Sequence, residues 1–306
     1  MLKICSFLPA ATSMIQQLGL EEHLFGVTFE CPSNKPAVVR SHIEGNTFSS
    51  LEIDRVVSSY ARQGKSLYYI DEKLLHQINP DIIITQDVCG VCQIGTDNVI
   101  SSISTLEKQP KILSLSPKNL NDVYKNACAI AHAVGKEEKG EALLAQLKNR
   151  TDTIESQLRK HKASIKRISF LEWINPIYNC GHWIPNQIKL AGGVDKLSSP
   201  SGYSTVISWE KILTYNPEII IVAPCGFSVE RAALELDILT SKSGWNKLKA
   251  VKRGEVYIAD ADLFTQPSTK LVDGIELLSR IFYPEIFKNR NSFSGRYKKI
   301  NELKIP

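Results

Sequence analysis

Cysteine and histidine are the side chains here best suited to bind metal or attack a substrate, and their spacing limits what chemistry is open. Cys89-x-x-Cys92 has the spacing at which two thiols face one sulfur or share one soft metal ion. A redox dithiol and half of a metal site are therefore both open, beside the plain packing of two small hydrophobes. No second C-x-x-C and no H-x-x-x-H occurs, so further ligands would come from distant segments such as Cys31, His182 or Cys225. His182 stands between Gly181 and Trp183, so a loop freed by glycine would project imidazole and indole together. A binding role and a structural one are both open for it. A cysteine nucleophile with His182 as base is also open, although spacing alone does not fix the hydrogen bond it needs. The sequence lacks G-x-x-x-x-G-K-S/T, G-x-G-x-x-G, G-x-S-x-G and H-E-x-x-H, which removes the commonest nucleotide, hydrolase and metalloprotease signatures.

These residues sit in a chain of 306 residues, 43% hydrophobic and 23% charged, which fits one large or two medium globular domains and excludes a disordered or collagen-like protein. The net charge of +5 comes from 37 basic and 32 acidic side chains spread along the chain. The basic concentrations, Lys160 to Arg167 and Arg296 to Lys299, are too short for a nucleic-acid stripe, and no nucleic acid partner is expected. No apolar run reaches ~18 residues, so no membrane span is expected. The apolar stretch Ile4 to Ala11 resembles a secretory signal but is interrupted by Ser6 and Pro9. With seven cysteines in no disulfide spacing, a reducing, cytoplasmic location is expected, export being the alternative.

The elements that must position the candidates alternate β-branched runs with helical patterns. Lys3 to Phe7, Phe25 to Phe29, Asp81 to Thr85 and Lys111 to Leu115 read as strands of one α/β half. Arg167 to Leu171, Glu218 to Ala223 and Glu255 to Ala259 read as strands of a second, with helices near Pro185 to Ala191, Trp209 to Tyr215 and Ser268 to Tyr283. Gly192-Gly193 reads as a helix C-cap. Between the halves lie Leu120 to Val134 and a helix over Glu137 to Lys160, whose Leu143, Leu147, Ile154 and Leu158 form one apolar stripe. The expected organisation is an N-terminal lobe over 1–118, a helical segment over 119–165 and a C-terminal lobe over 166–306. A short echo links the lobes: LLHQINPDIIITQDVCG from Leu74 to Gly90 and ILTYNPEIIIVAPCG from Ile212 to Gly226.

In open parallel sheets ligands bind outside the carboxyl ends of the strands. Those positions hold Glu30-Cys31, the run Gln86 to Cys92, Glu172-Trp173 and Pro224-Cys225-Gly226-Phe227. Trp173, Tyr178, Trp183 and Phe227 would give flat apolar walls to a cleft between the lobes, suited to a large ligand with a few polar handles.

The pattern resembles the cobalamin and iron-chelate substrate-binding proteins of ABC importers, over most of the chain. SFLPAATS from Ser6 to Ser13 is similar to that family's opening strand and Pro-rich turn, and VTFECP from Val27 to Pro32 to its second strand exit. FLEW (170–173), GHWIP (181–185), LAGG (190–193) and APCGF (223–227) resemble a cobalamin-binding branch that often lacks an export signal. The resemblance implies an α/β fold of two Rossmann-like lobes with central parallel sheets, joined by a long helix, the ligand lying between them. It also implies an ABC permease that docks on an acid of each lobe. Glu210, seven residues before Pro217, holds that position in the second lobe; seven before Pro80 stands Lys73, with Glu72 beside it. Gln266-Pro267 replaces an Arg-Pro of relatives, which removes any contact of that arginine.

Together these readings describe a non-enzymatic, monomeric binding protein for a cobalamin-like corrinoid or another large metal chelate. Pro9 and Ala10 would border the ligand, and Trp173, Trp183 and Phe227 would stack on it. Glu30, Gln86 and Asp87 would accept hydrogen bonds from its amides, Cys31 and Cys225 would line it, and His182 or a cysteine would approach the metal, with Cys89, Cys92 and His182 the candidate ligands. The alternative is a thiol- or metal-dependent enzyme, or a soft-metal trafficking protein, that uses Cys31, Cys89, Cys92, Cys225 and His182 directly.

Overall fold

The structure, a computed structural model, describes residues 2–86, 96–104, 106–200, 202–288 and 293–303. Asp87, Cys89 and Cys92 lie outside the described residues. The chain divides into two compact units, the first comprising 1–48, 52–117 and 121–146, the second 49–51, 118–120 and 147–306. Residues 119–165, set apart from both lobes in the sequence reading, are thus shared between the units.

The first unit is built on a six-stranded sheet of β1 (Ile4–Ser6), β2 (Leu24–Thr28), β3 (Ala37–Ser41), β4 (Tyr68–Ile70), β5 (Ile82–Thr85) and β6 (Lys111–Ser114), in the order β4-β3-β2-β1-β5-β6. All neighbours run parallel except β3 and β4. Every residue of β5 is buried, as a strand covered by helices on both faces requires, and Ile4 pairs with Ile82 in register. The core gathers Phe7, Val38, Val39, Leu75, Ile83 and Val99. Consecutive connections leave β1 towards β2 on one side and reach β5 on the other, so the order reverses beside β1. Such a reversal opens a crevice at the carboxyl ends, and the residues after β1 and β5 stand at it.

The second unit carries a five-stranded sheet of β7 (Lys166–Leu171), β8 (Gly193–Val194), β9 (Ile219–Val222), β10 (Val256–Ala259) and β11 (Tyr297–Lys299), ordered β11-β10-β9-β7-β8. It is parallel except for β10 and β11. Its order reverses between β7 and β9, which places the crevice between Glu172 and the loop 223–227. Gly192 has φ +86 after the helix Ile184–Leu190, the left-handed stop expected of it, while Gly193 goes on into β8.

The helix Glu137–Lys160 is continuous over 24 residues, as its apolar stripe predicts, with Leu147 and Ile154 buried. The division between the units falls within it, after Gln146. In the second unit Arg150 of this helix reaches Asp273 at 2.5 Å and Glu276 at 2.8 Å on the helix Leu271–Phe282. Among the described residues no helix is long and apolar enough to cross a membrane.

Candidate functional site

At the reversal point of the first unit the chain leaves β1 through a short turn and enters the helix Pro9–Gln17, with proline at its start, where a missing N–H costs nothing. A run of hydrogen bonds ties this turn to the exit of β2. The Cys31 thiol donates to Thr12 Oγ1 (3.2 Å), Thr12 donates to Ser6 Oγ (2.9 Å), and Ser6 donates to the Leu8 carbonyl (3.0 Å). Burial pushes the Cys31 pKa up, so it stays a thiol at neutral pH and serves the turn as a donor. Pro9 is half-buried, Ala10 and Gln86 are buried, and Glu30 is exposed.

The second unit's reversal point is aromatic. Trp173, after β7, and Phe227, after β9, meet with ring centroids 5.1 Å apart, and the Arg231 guanidinium lies 4.3 Å from the Phe227 centroid. Trp173 is half-buried, whereas Phe227 is 7% exposed and backs the tryptophan. Trp183 departs from its expected role as a wall: it is 4% exposed, and its indole N–H donates to the Phe264 carbonyl at 2.6 Å. The need of a buried indole for an acceptor draws it into the core.

His182 stays half-buried on a strained backbone, φ +53, with its N–H donating to the Gly202 carbonyl at 2.7 Å. Its ring lies 5.2 Å from Trp183 and edge-on to Tyr203 at 5.3 Å. Burial pushes its pKa down, so the imidazole is neutral at pH 7 and keeps a lone pair. Gly181 makes this turn possible, because a Cβ there would sit 2.5 Å from the Gly202 carbonyl oxygen.

Beneath the turn Glu172 accepts the Ser204 hydroxyl at 2.5 Å and the Gly181 N–H at 3.3 Å. Burial outweighs those bonds and pushes its pKa up to about 7. Asp195, buried beside it in the loop after β8, accepts the N–H groups of Phe170 (2.8 Å) and Leu197 (2.9 Å) and is pushed up to about 6. The Cys180 thiol donates to Asp195 and is held protonated by burial and by both acids.

Cys5, Cys31 and Cys180 are therefore buried thiols, while Cys225 is exposed on the loop after β9. Among the described residues no group of three or more His, Cys, Asp or Glu side chains is placed to hold a metal ion. The sequence reading missed His42, which follows β3 and stacks on Tyr60 (5.7 Å) and Tyr69 (5.0 Å). Recognising Ala37–Ser41 as a strand would have placed this histidine at a carboxyl end.

Two parallel-sheet units with aromatic and carboxylate groups at their reversal points define a ligand-binding protein of the two-lobe α/β class. The model of the family described as "Periplasmic binding protein" matches residues 72–263, and the chain belongs to that family. It is 23% identical over 297 residues to the uncharacterized ABC transporter substrate-binding lipoprotein YvrC of Bacillus subtilis (strain 168), covering 94% of this chain and 81% of the relative. Two solved structures share the fold. The periplasmic vitamin B12 binding protein BtuF of Vibrio cholerae aligns at TM-score 0.63 and 18% identity over 94% of this chain and 98% of its own. A periplasmic heme binding protein from Pseudomonas aeruginosa aligns at TM-score 0.69 and 15% identity over 93% of each chain. This kinship overturns the expected cytoplasmic location: the family and the lipoprotein relative point outside the cytoplasm. The apolar stretch Ile4 to Ala11 forms β1, the turn after it and the start of the helix Pro9–Gln17, so its apolar character serves the core of the first unit.

Proposed function

We propose that the protein is a non-enzymatic carrier of a cobalamin-like corrinoid, held at the carboxyl ends of the sheets and passed to an ABC permease. The observation that carries the corrinoid reading is the charge balance around Trp173. Among the described residues, the cations beyond β9 and β10 are paired: Arg231 with Glu235 at 2.5 Å, Lys270 with Asp262 at 3.1 Å, and Arg296 with Asp260 at 2.5 Å and with Asp262. A haem brings two carboxylates that would need cations of their own, whereas a corrin rim carries uncharged amides. Those amides suit Glu172, whose pKa burial pushes up to about 7, and the amide of Gln86, and a flat macrocycle suits the half-open Trp173 ring. Glu30 and Asp87 are further proposed acceptors. Exposed acids in the first turns of two corresponding helices, Glu72 in Glu72–Ile78 and Glu210 in Trp209–Tyr215, support permease docking. The departure at Lys73 is then a slip of one residue within the same turn.

Calorimetric titration with cyanocobalamin and with haem tests this reading. Cyanocobalamin is expected to bind at ~1 μM or tighter, and Trp173→Ala to weaken it ~tenfold or more. Absence of corrinoid binding at ~100 μM, or tighter binding of haem, would overturn it.

A further inference from the structure

The chain has six histidines, and their surroundings sort them. His23, His132 and His161 each engage Nδ1, with the Leu2 carbonyl at 3.1 Å, Glu137 at 2.8 Å and the Gln157 carbonyl at 2.9 Å. His76 is engaged as well. Among the described residues, the imidazole nitrogens of His42 and His182 have no hydrogen-bond partner. Both rings are instead fixed by aromatic neighbours, His42 by Tyr60 and Tyr69, His182 by Trp183 and Tyr203. Both also sit past carboxyl ends, one in each unit.

His182 stands in the Gly-His-Trp run, whereas His42 lies in no such motif. His42 is exposed and directly follows β3, which runs parallel to β2 and β1, so it leaves the sheet on the same edge as Pro9 and Glu30. Its N–H donates to the Leu67 carbonyl at 3.1 Å, which pins the backbone where the chain turns. Tyr60 lies nearly parallel to the imidazole, 28° off, and Tyr69 is tilted by 36°. Stacking of this kind fixes the ring plane without engaging either nitrogen. His23, His132 and His161, by contrast, each have Nδ1 within hydrogen-bond distance of a carbonyl or carboxylate. An exposed imidazole held by its faces, with neither nitrogen bonded to the described residues, suits donation to a metal.

We propose that His42 is a metal-ligating residue: one ring nitrogen binds the central metal of a macrocyclic chelate at an exchangeable axial position, and Tyr60 and Tyr69 hold the ring upright for it. This rests on the corrinoid reading above and adds that the protein engages the metal itself as well as the ring edge. The step is a ligand exchange. The unprotonated nitrogen gives its electron pair to cobalt, a bound water leaves, the other nitrogen keeps its proton, and no oxidation state changes. A chelate whose axial position is closed by a strong ligand such as cyanide would bind through the rim contacts alone.

Two probes separate the parts of the proposal. Cyanocobalamin reports rim binding by calorimetry; aquocobalamin, whose water exchanges, also reports metal ligation through its visible bands. The wild-type protein is expected to bind both and to convert aquocobalamin to an imidazole-bound spectrum. His42→Phe, which keeps a ring for Tyr60 and Tyr69 to stack on, should abolish that spectrum and weaken aquocobalamin ~tenfold or more, with cyanocobalamin within ~threefold of wild type. If cyanocobalamin binds but the aquocobalamin spectrum is unchanged on binding, or if the shift survives in His42→Phe and disappears in His182→Ala, the role of His42 is refuted and the corrinoid reading stands. If neither corrinoid binds, the corrinoid reading itself fails and takes this proposal with it.

Discussion

The two copies of the Asn-Pro-acid-Ile-Ile-Ile segment start alike and end differently. In each, the asparagine closes a helix in the left-handed conformation, Asn79 at φ 47 and Asn216 at φ 48, with its N–H on the carbonyl of Leu75 or Ile212 at 2.9 Å. In each, the acid after proline accepts a backbone N–H from the start of the neighbouring strand: Asp81 from Lys3 at 2.7 Å, Glu218 from Arg167 at 3.2 Å. The same basic residues send their side chains back to the helix end, Lys3 to the Ile78 carbonyl and Arg167 to the Asn216 carbonyl. The amino ends of both sheets therefore follow one plan, fixed by the same set of hydrogen bonds. At the carboxyl ends the plans part, to a polar run through Cys31, Thr12 and Ser6 in one unit and an aromatic group over a near-neutral Glu172 in the other. The copies agree where helix closes onto strand and differ at the carboxyl ends, where an open parallel sheet offers its ligand crevice.

If the copies are equivalent in the fold, Ile83→Ala and Ile220→Ala should cost alike. Both side chains are buried in the cores of their units, and each truncation should lower the unfolding free energy by about 2–5 kcal/mol in denaturant titrations. A cost below about 1 kcal/mol in one unit alone would break the equivalence.

A smaller effect sharpens the contrast between the two ends of the second sheet. Lys249 and the Arg167 N–H hold the pKa of Glu218 below the usual carboxylate range, so its contribution is present at neutral pH and lost only as the pH falls through that lowered value. Glu172 behaves in the opposite sense. Its pKa is raised to about 7 in the folded protein, so the unfolded chain ionises first. Stability should fall as the pH rises from the ordinary glutamate range to about 7, with the full cost present above it. Melting curves between those limits should show this decline, and Glu172→Gln should flatten it while keeping the Ser204 contact. An unchanged slope in that variant would remove Glu172 from the account.

The smallest expected difference lies in the asparagines. Asn216 Oδ1 accepts the Lys249 N–H at 2.8 Å, whereas Asn79 Oδ1 is buried without a partner. Asn79→Gly should therefore be neutral or stabilise by a few tenths of a kcal/mol, since glycine suits the left-handed cap. Asn216→Gly should be less stable than its counterpart by about 1 kcal/mol, for the lost acceptor. Equal melting temperatures would show that the side-chain bond contributes nothing.

The interior of this fold was legible in the sequence, and its edges were not. Runs such as Ile82–Thr85 and Ile219–Val222 announce strands covered on both faces, and the stripe through Leu147 and Ile154 announces the long helix with its observed bounds. β4 and β11 are half-buried edge strands of three residues, β8 has two, and β3 follows Pro36 and carries Arg40, so none presents an apolar run. That gap propagated to the site, because a histidine after an unread strand has no apparent place. Position after a strand correctly marked Glu172, Trp173 and Phe227 as neighbours at a carboxyl end. It did not reveal that Trp183 turns inward, which depends on the Phe264 carbonyl, 81 residues away in the chain.

Gly181 and His182 show how neighbouring codons can be constrained for unrelated reasons. The Gly181 α-carbon faces the Gly202 carbonyl so closely that alanine already collides, whatever ligand is present. His182, one position on, is set by a left-handed backbone at φ +53 and by the rings of Trp183 and Tyr203 on either side. Two adjacent codons thus answer to different forces, the first to the reach of a single carbonyl oxygen, the second to a rare backbone conformation and the rings around it.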